Sequence, residues 1–121
     1  MSRTILVVED QEDNRQILRD LLDANDYDML EAENGEQALA AVKKQRPDLI
    51  LMDIQLPVMD GYEATRRLKA DPDTQSIPVI VVTSYALSGD EGKANEAGCD
   101  AYVTKPYSPR ALLAKIKEFL P

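Results

Sequence analysis

The chain has 121 residues, 44% of them hydrophobic, enough for a single domain (residues 1–121) that buries about two thirds of the surface its unfolded form would expose. Fourteen basic against 22 acidic side chains leave a formal charge of −8, which repels phosphate backbones and anionic lipids; no direct nucleic-acid or membrane binding is expected, and a cation or a protein is the favoured partner. With no histidine and a single cysteine, Cys99, imidazole and Cys/His zinc sites and an internal disulfide are excluded, and the chain reads as a cytoplasmic protein of a reducing compartment.

The first apolar run, "ILVV" (Ile5 to Val8), ends in acids too soon for a signal-peptide core or a membrane span, and it predicts a strand. Ile17, Leu18, Leu21 and Leu22 then form the stripe of an amphipathic helix. "YDMLEA" (Tyr27 to Ala32) mixes polar and apolar residues as a partly exposed edge strand does. Asn34 followed by Gln37 resembles a capping box, ahead of a helix carrying Ala38, Leu39 and Val42. "LILM" (Leu49 to Met52) is a second fully apolar run, after which Met59 and Asp60 before Gly61 read as a turn into the next helix. "VIVV" (Val79 to Val82) is the third such run. The segment that follows Thr83, "SYALSGDEGKANEAG", contains Gly89 and Gly92. Each costs about 1 kcal/mol against alanine inside a helix, so this helix is expected to be the loosest; Gly98 suits its C-terminus. "DAYVTK" (Asp100 to Lys105) predicts the other edge strand. Ser108 before Pro109 caps a last helix with the stripe Leu112, Leu113, Ile116, Phe119 and Leu120.

The three apolar runs are rich in β-formers and too short for helices, as parallel strands covered on both faces are. Strand and helix alternate five times. Short right-handed crossovers then give a doubly wound α/β fold: a five-stranded parallel sheet of order 2-1-3-4-5, flavodoxin-like, flanked by five helices.

The strands end in polar residues: Glu9 and Asp10 after the first, Asp53 after the third, Thr83 after the fourth, Lys105 after the fifth. In a parallel sheet these ends share one edge, where open α/β folds bind ligands. Any one of them alone reads as a solvated loop start. Three carboxylates together repel one another unless something neutralises them, and an oxygen-rich, histidine-free set favours Mg²⁺ over calcium, for which no D-x-D-x-D-G loop is present. A metal beside an extra carboxylate and a lysine suits phosphoryl transfer, with Asp53 the nucleophile that becomes an aspartyl phosphate. No P-loop or G-x-G-x-x-G motif is present, so the phosphoryl donor is expected to be a protein or a small phospho-compound rather than ATP bound here.

With these motifs in place the chain resembles response-regulator receiver domains of the CheY-like superfamily. It is similar to the chemotaxis single-domain regulators and, in "DLILMDIQLP" and "GCDAYVTKP", to DivK-type regulators. The resemblance covers essentially the whole chain. It implies that Asp53 is the phosphoacceptor and that Glu9, Asp10 (preferred as the direct ligand), Asp53 and the Gln55 backbone carbonyl hold Mg²⁺. It further implies that the Thr83 hydroxyl and the Lys105 ammonium contact the phosphoryl group, that Lys105-Pro106 is a cis bond at Pro106, and that Tyr102 is an aromatic switch coupled to Thr83. Glu9 departs mildly from the family's commoner Asp. Gln55 and Tyr85 stand where the family tunes water access, an amide and a phenol that suggest slow self-hydrolysis.

The resulting expectation is a two-component response regulator, a signalling phosphoacceptor that assists its own phosphoryl transfer and dephosphorylation rather than an enzyme acting on a separate substrate. Its donor is a phosphohistidine in trans, on a sensor histidine kinase or a histidine phosphotransfer protein, because the chain has no histidine of its own. Its output is a protein target met by the helix after Thr83, the last strand and the last helix. Two other readings use some of the same residues. A haloacid-dehalogenase-type phosphohydrolase would want a second Asp where Gln55 stands, and a pseudo-receiver would not need every polar position filled. Cys99 reads as a small filler.

Overall fold

The computed structural model describes residues 3–83 and 96–120. Five strands, β1 (Arg3–Val8), β2 (Tyr27–Ala32), β3 (Leu49–Asp53), β4 (Val79–Thr83) and β5 (Ala101–Thr104), form one sheet of order β2-β1-β3-β4-β5. All four neighbouring pairs are parallel, with Ile5 opposite Leu49, Ile50 opposite Val79 and Ile80 opposite Ala101. The expected sheet order is therefore observed.

Four helices, rather than the five expected, are counted among the described residues: α1 (Glu12–Ala24), α2 (Gly35–Lys44), α3 (Gly61–Ala70) and α4 (Pro109–Phe119). Most of the helix expected after Thr83, including its two interior glycines, falls on residues 84–95, outside the described residues, and so does Tyr85; Glu96 and Ala97, at its end, are helical. Gly98, just beyond, has φ +92, the left-handed conformation that a side chain resists.

Alternation along each strand sends successive side chains to opposite faces. Leu6, Val8, Ile50, Met52, Val79 and Val81 meet Ala38 and Val42 of α2 and Ala64 and Leu68 of α3. Ile5, Val7, Leu49, Leu51 and Ile80 meet Leu18 and Leu22 of α1 and Leu112 and Ile116 of α4. Every residue of β3 and β4 is buried. Each large aliphatic side chain removed from water contributes roughly 1.5–3 kcal/mol, so β3 and β4, with the apolar run of β1, supply much of the core.

The helix starts are chemically specified. Asn34 Oδ1 accepts from the Gln37 N–H at 2.8 Å, the N-cap half of a capping box, while Gln37 Oε1 accepts from the Glu33 N–H at 2.9 Å, one residue before the N-cap N–H that a full box would use. Ser108 Oγ accepts from the Ala111 N–H at 3.0 Å ahead of Pro109. Asp60 caps α3 through the Glu63 N–H at 2.9 Å. Among the described residues no helix is long and apolar enough to cross a membrane.

Candidate functional site at the C-terminal edge of the sheet

Glu9 leaves β1 with its N–H bonded to the Ala32 carbonyl at 3.0 Å, and its side chain turns inward until the residue is only 4% exposed. Asp53 ends β3 at 6% exposure. Carboxylate oxygens of Glu9, Asp10 and Asp53 lie within 4.8 Å of one another. Lys105 reaches into this group from the far side of the sheet: its Nζ lies 2.9 Å from Asp53 Oδ2 and 3.3 Å from Glu9 Oε1. The other Asp53 oxygen, Oδ1, accepts from the Gln55 N–H at 3.1 Å. Glu9 is further held by the Asn14 side-chain amide at 3.2 Å on Oε1 and by the Gln11 N–H at 3.2 Å on Oε2. Gln11 also donates to Asp10 Oδ2 at 3.3 Å.

Three carboxylates thus face one ammonium, and two of the acids are buried. Burial first, and then the charge of Asp53, hold the Glu9 carboxyl above its ordinary pKa, with Lys105 acting the other way. Burial also works against the Lys105 ammonium, but its bonds and attraction to Asp53 and Glu9 outweigh that, and its pKa is raised. Among the described residues the site therefore carries more anionic oxygen than its one lysine balances. Such a donor set, all oxygen and closely grouped, fits a hard divalent cation of the Mg²⁺ kind.

Thr83 and the cis bond after Lys105 lie on the same edge, whereas Tyr102 sits within β5. Thr83 ends β4 at 2% exposure, and its carbonyl accepts from the Lys105 N–H at 2.6 Å, so the backbone that bears the ammonium is tied to the backbone that bears the hydroxyl. The Lys105-Pro106 peptide bond is cis. Tyr102 pairs with Val81 in the β5–β4 register, is partly buried, and packs on the sheet face shared with α2 and α3.

The chain leaves Asp53 through a tight turn. Val58, at φ +67 and 78% exposed, sits at its apex, with the Met59 N–H bonded to the Pro57 carbonyl at 2.7 Å. This is a γ-turn in the strained left-handed form. It brings Gly61, the first residue of α3, directly against β3: a Cβ there would run into the Asp53 carbonyl oxygen and lie 3.0 Å from Ile54 Cα. The Gly61 N–H bonds the Ile54 carbonyl at 3.1 Å. Sequence reasoning treated Gly61 only as part of a turn; its real constraint is this close approach. It also passed over Asn14 and Arg15. Arg15 could have been noticed, because it stands three and seven residues before Leu18 and Leu22, on the buried stripe of α1.

Beside Lys105 the surface carries a groove of about 490 Å³ lined by Asn14, Ile17, Lys105, Pro106, Tyr107 and Pro109, with Ile17 56% exposed.

The response regulator receiver domain model matches residues 5–117. The chain is 44% identical to the polar-differentiation response regulator DivK of Brucella anthropi and 42% identical to that of Brucella ovis, in each case over 99% of this chain and 98% of the relative. Among solved structures, the signal receiver domain of a histidine kinase from Syntrophus aciditrophicus superposes with TM-score 0.93 at 35% identity, covering 98% of this chain and 90% of that one. The receiver domain of a Pseudomonas aeruginosa sensor histidine kinase, described with a magnesium ion coordinated in its active site cleft, superposes with TM-score 0.92 at 34% identity, covering 99% and 98%. An acid-rich sheet edge on this fold, a family model spanning nearly the whole chain and relatives of equal length lead to one assignment: the chain belongs to the response regulator receiver domains of two-component signalling.

Proposed function

We propose that residues 1–121 form one receiver domain that accepts a phosphoryl group on Asp53 from a phosphohistidine of a partner kinase or phosphotransfer protein. The observation that carries this reading is the shared ammonium: Lys105 bridges Asp53 and Glu9 at an edge where three carboxylates meet. An Asp53 carboxylate oxygen forms the new bond to phosphorus as the nitrogen–phosphorus bond of the donor breaks, its electron pair returning to the imidazole. Lys105 is placed to shift from the Asp53 oxygen to a phosphoryl oxygen, and the Thr83 hydroxyl takes another. The carboxylates of Glu9, Asp10 and Asp53 and the Gln55 carbonyl would hold Mg²⁺, which when bound neutralises negative charge on the transferring group.

The donor protein would rest on the groove beside Lys105, because Asn14 and Lys105 belong both to that groove and to the site, and Ile17 offers it apolar surface. The output runs through Thr83 and Tyr102 to a surface made by the segment after Thr83, β5 and α4, where a protein target docks.

The test is incubation with Mg²⁺ and acetyl phosphate followed by intact-protein mass spectrometry. Wild type is expected to gain one phosphate and Asp53→Asn none; equal labelling of the two removes Asp53 as the acceptor. In the same samples amide exchange over residues 86–98 is expected to change on phosphorylation, and an unchanged pattern removes the switch.

A further inference from the structure

Arg15 is the most heavily engaged side chain near the site, yet it touches none of the groups that would meet phosphorus. It lies on the inner face of α1 with its side chain 9% exposed. Its Nη1 donates to the backbone carbonyl of Glu9 at 2.7 Å, a bond buried from solvent. Nε lies 3.1 Å from Glu31 Oε1, and Nη2 lies 2.5 Å from Glu12 Oε2 and 3.5 Å from Glu33 Oε1. One rigid fork thus joins the start of α1, the end of β2 and the segment leading into α2 to a single carbonyl.

That carbonyl belongs to the peptide between Glu9 and Asp10, the two acids of the β1–α1 connection. The Glu9 N–H is held on the other side by Ala32, so the residue is pinned through both its backbone polar groups. Rotating the Glu9–Asp10 peptide would swing both carboxylates, because each side chain starts one bond from that plane.

We propose that Arg15 is a positioning residue for the cation site, fixing the Glu9–Asp10 peptide so that both carboxylates converge with Asp53. This rests on the reading of the site as a Mg²⁺ site. It makes a prediction of unusual sign. Arg15 is a positive charge near a cation site, so by charge alone its removal should tighten Mg²⁺ binding. By positioning, its removal loosens binding. Lysine keeps the charge but has no planar fork to serve the carbonyl and three acids at once.

The experiment titrates Mg²⁺ alone into metal-free wild type, Arg15→Lys, Arg15→Met and Glu12→Gln by calorimetry, with a thermal melt of each to confirm folding. Outer partners of metal ligands typically change affinity 10–100-fold. Arg15→Lys is accordingly expected to bind Mg²⁺ about 10-fold more weakly, and Arg15→Met at least as weakly despite its lost charge. Glu12→Gln, which removes an exposed acid but leaves the carbonyl bond, should stay within about twofold of wild type. In acetyl phosphate labelling the Mg²⁺ midpoint of Arg15→Lys should shift by the same factor, with the plateau unchanged. The proposal is overturned if Arg15→Lys binds like wild type, if Arg15→Met binds more tightly, or if Glu12→Gln loses as much as Arg15→Lys. Absence of Mg²⁺ binding by wild type overturns the underlying reading as well, whereas normal wild-type binding with indifferent Arg15 variants overturns this inference alone.

Discussion

The two ends of the sheet handle charge in opposite ways. At the N-terminal end charged side chains fasten backbone. Lys69 Nζ donates to the carbonyls of Gln75 and Ile77 at 3.0 and 2.8 Å and to Asp100 Oδ2 at 2.8 Å. The same Asp100 oxygen accepts from the Val79 N–H at 2.7 Å, and Asp48 Oδ2 accepts from the Thr4 N–H at 2.7 Å. Cation is set against anion, and both hold main chain. At the C-terminal end one ammonium serves two buried acids with a third alongside. The first pattern is what stability alone selects. The second, among the described residues, gathers more acid than base, the pattern of a binding site rather than of a structural ion pair.

Three measurements press on this contrast. The largest effect belongs to the fastening end: Lys69→Met leaves the half-buried Ile77 carbonyl without its side-chain donor and takes one bond from Gln75 and from Asp100, and is expected to lower stability by about 1–2 kcal/mol in urea denaturation without altering Mg²⁺ affinity. A loss of Mg²⁺ binding there would mean that the two ends are not independent.

Next, Asp53→Asn removes one of the crowded acids, and metal-free protein should become more stable by about 1 kcal/mol, the reverse of the usual result of deleting an ion-pair partner. A destabilised variant would show that Lys105 balances the site after all.

The smallest effect is in pH. The folded protein holds the Glu9 proton more tightly than the unfolded chain does, so this group's contribution is fully favourable below its ordinary 4.5 and is lost as pH rises through the raised folded value. In EDTA, wild type and Glu9→Gln should therefore be about equally stable in acid, and wild type should fall behind the variant as pH rises toward neutral and the buried carboxylate has to ionise. Parallel curves would contradict the raised value.

Much of this was legible in the linear chain, for identifiable reasons. "LILM" and "VIVV" are apolar throughout, which a strand tolerates only when both faces are covered, and that places β3 and β4 at the centre. Once they are central and parallel, Asp53 and Thr83 must share an edge with Glu9 and Lys105. What was not legible depends on contacts far apart in sequence. Arg15 shows its inward position in the α1 stripe, but its partners appear only when Glu31 and Glu33 arrive from β2 and beyond it, and the need for glycine at position 61 appears only when α3 is laid on β3. Val58 gives no local hint of a left-handed backbone, since a β-branched residue is the least suited to it.

Gly61 carries one more implication. With helix α3 seated so closely behind Asp53 that not even a methyl fits between them, the aspartate's main chain has an anvil at its back. A backing of that kind leaves the Asp53 main chain no room to retreat toward α3, so any side chain at position 61 would have to push the strand end itself out of place.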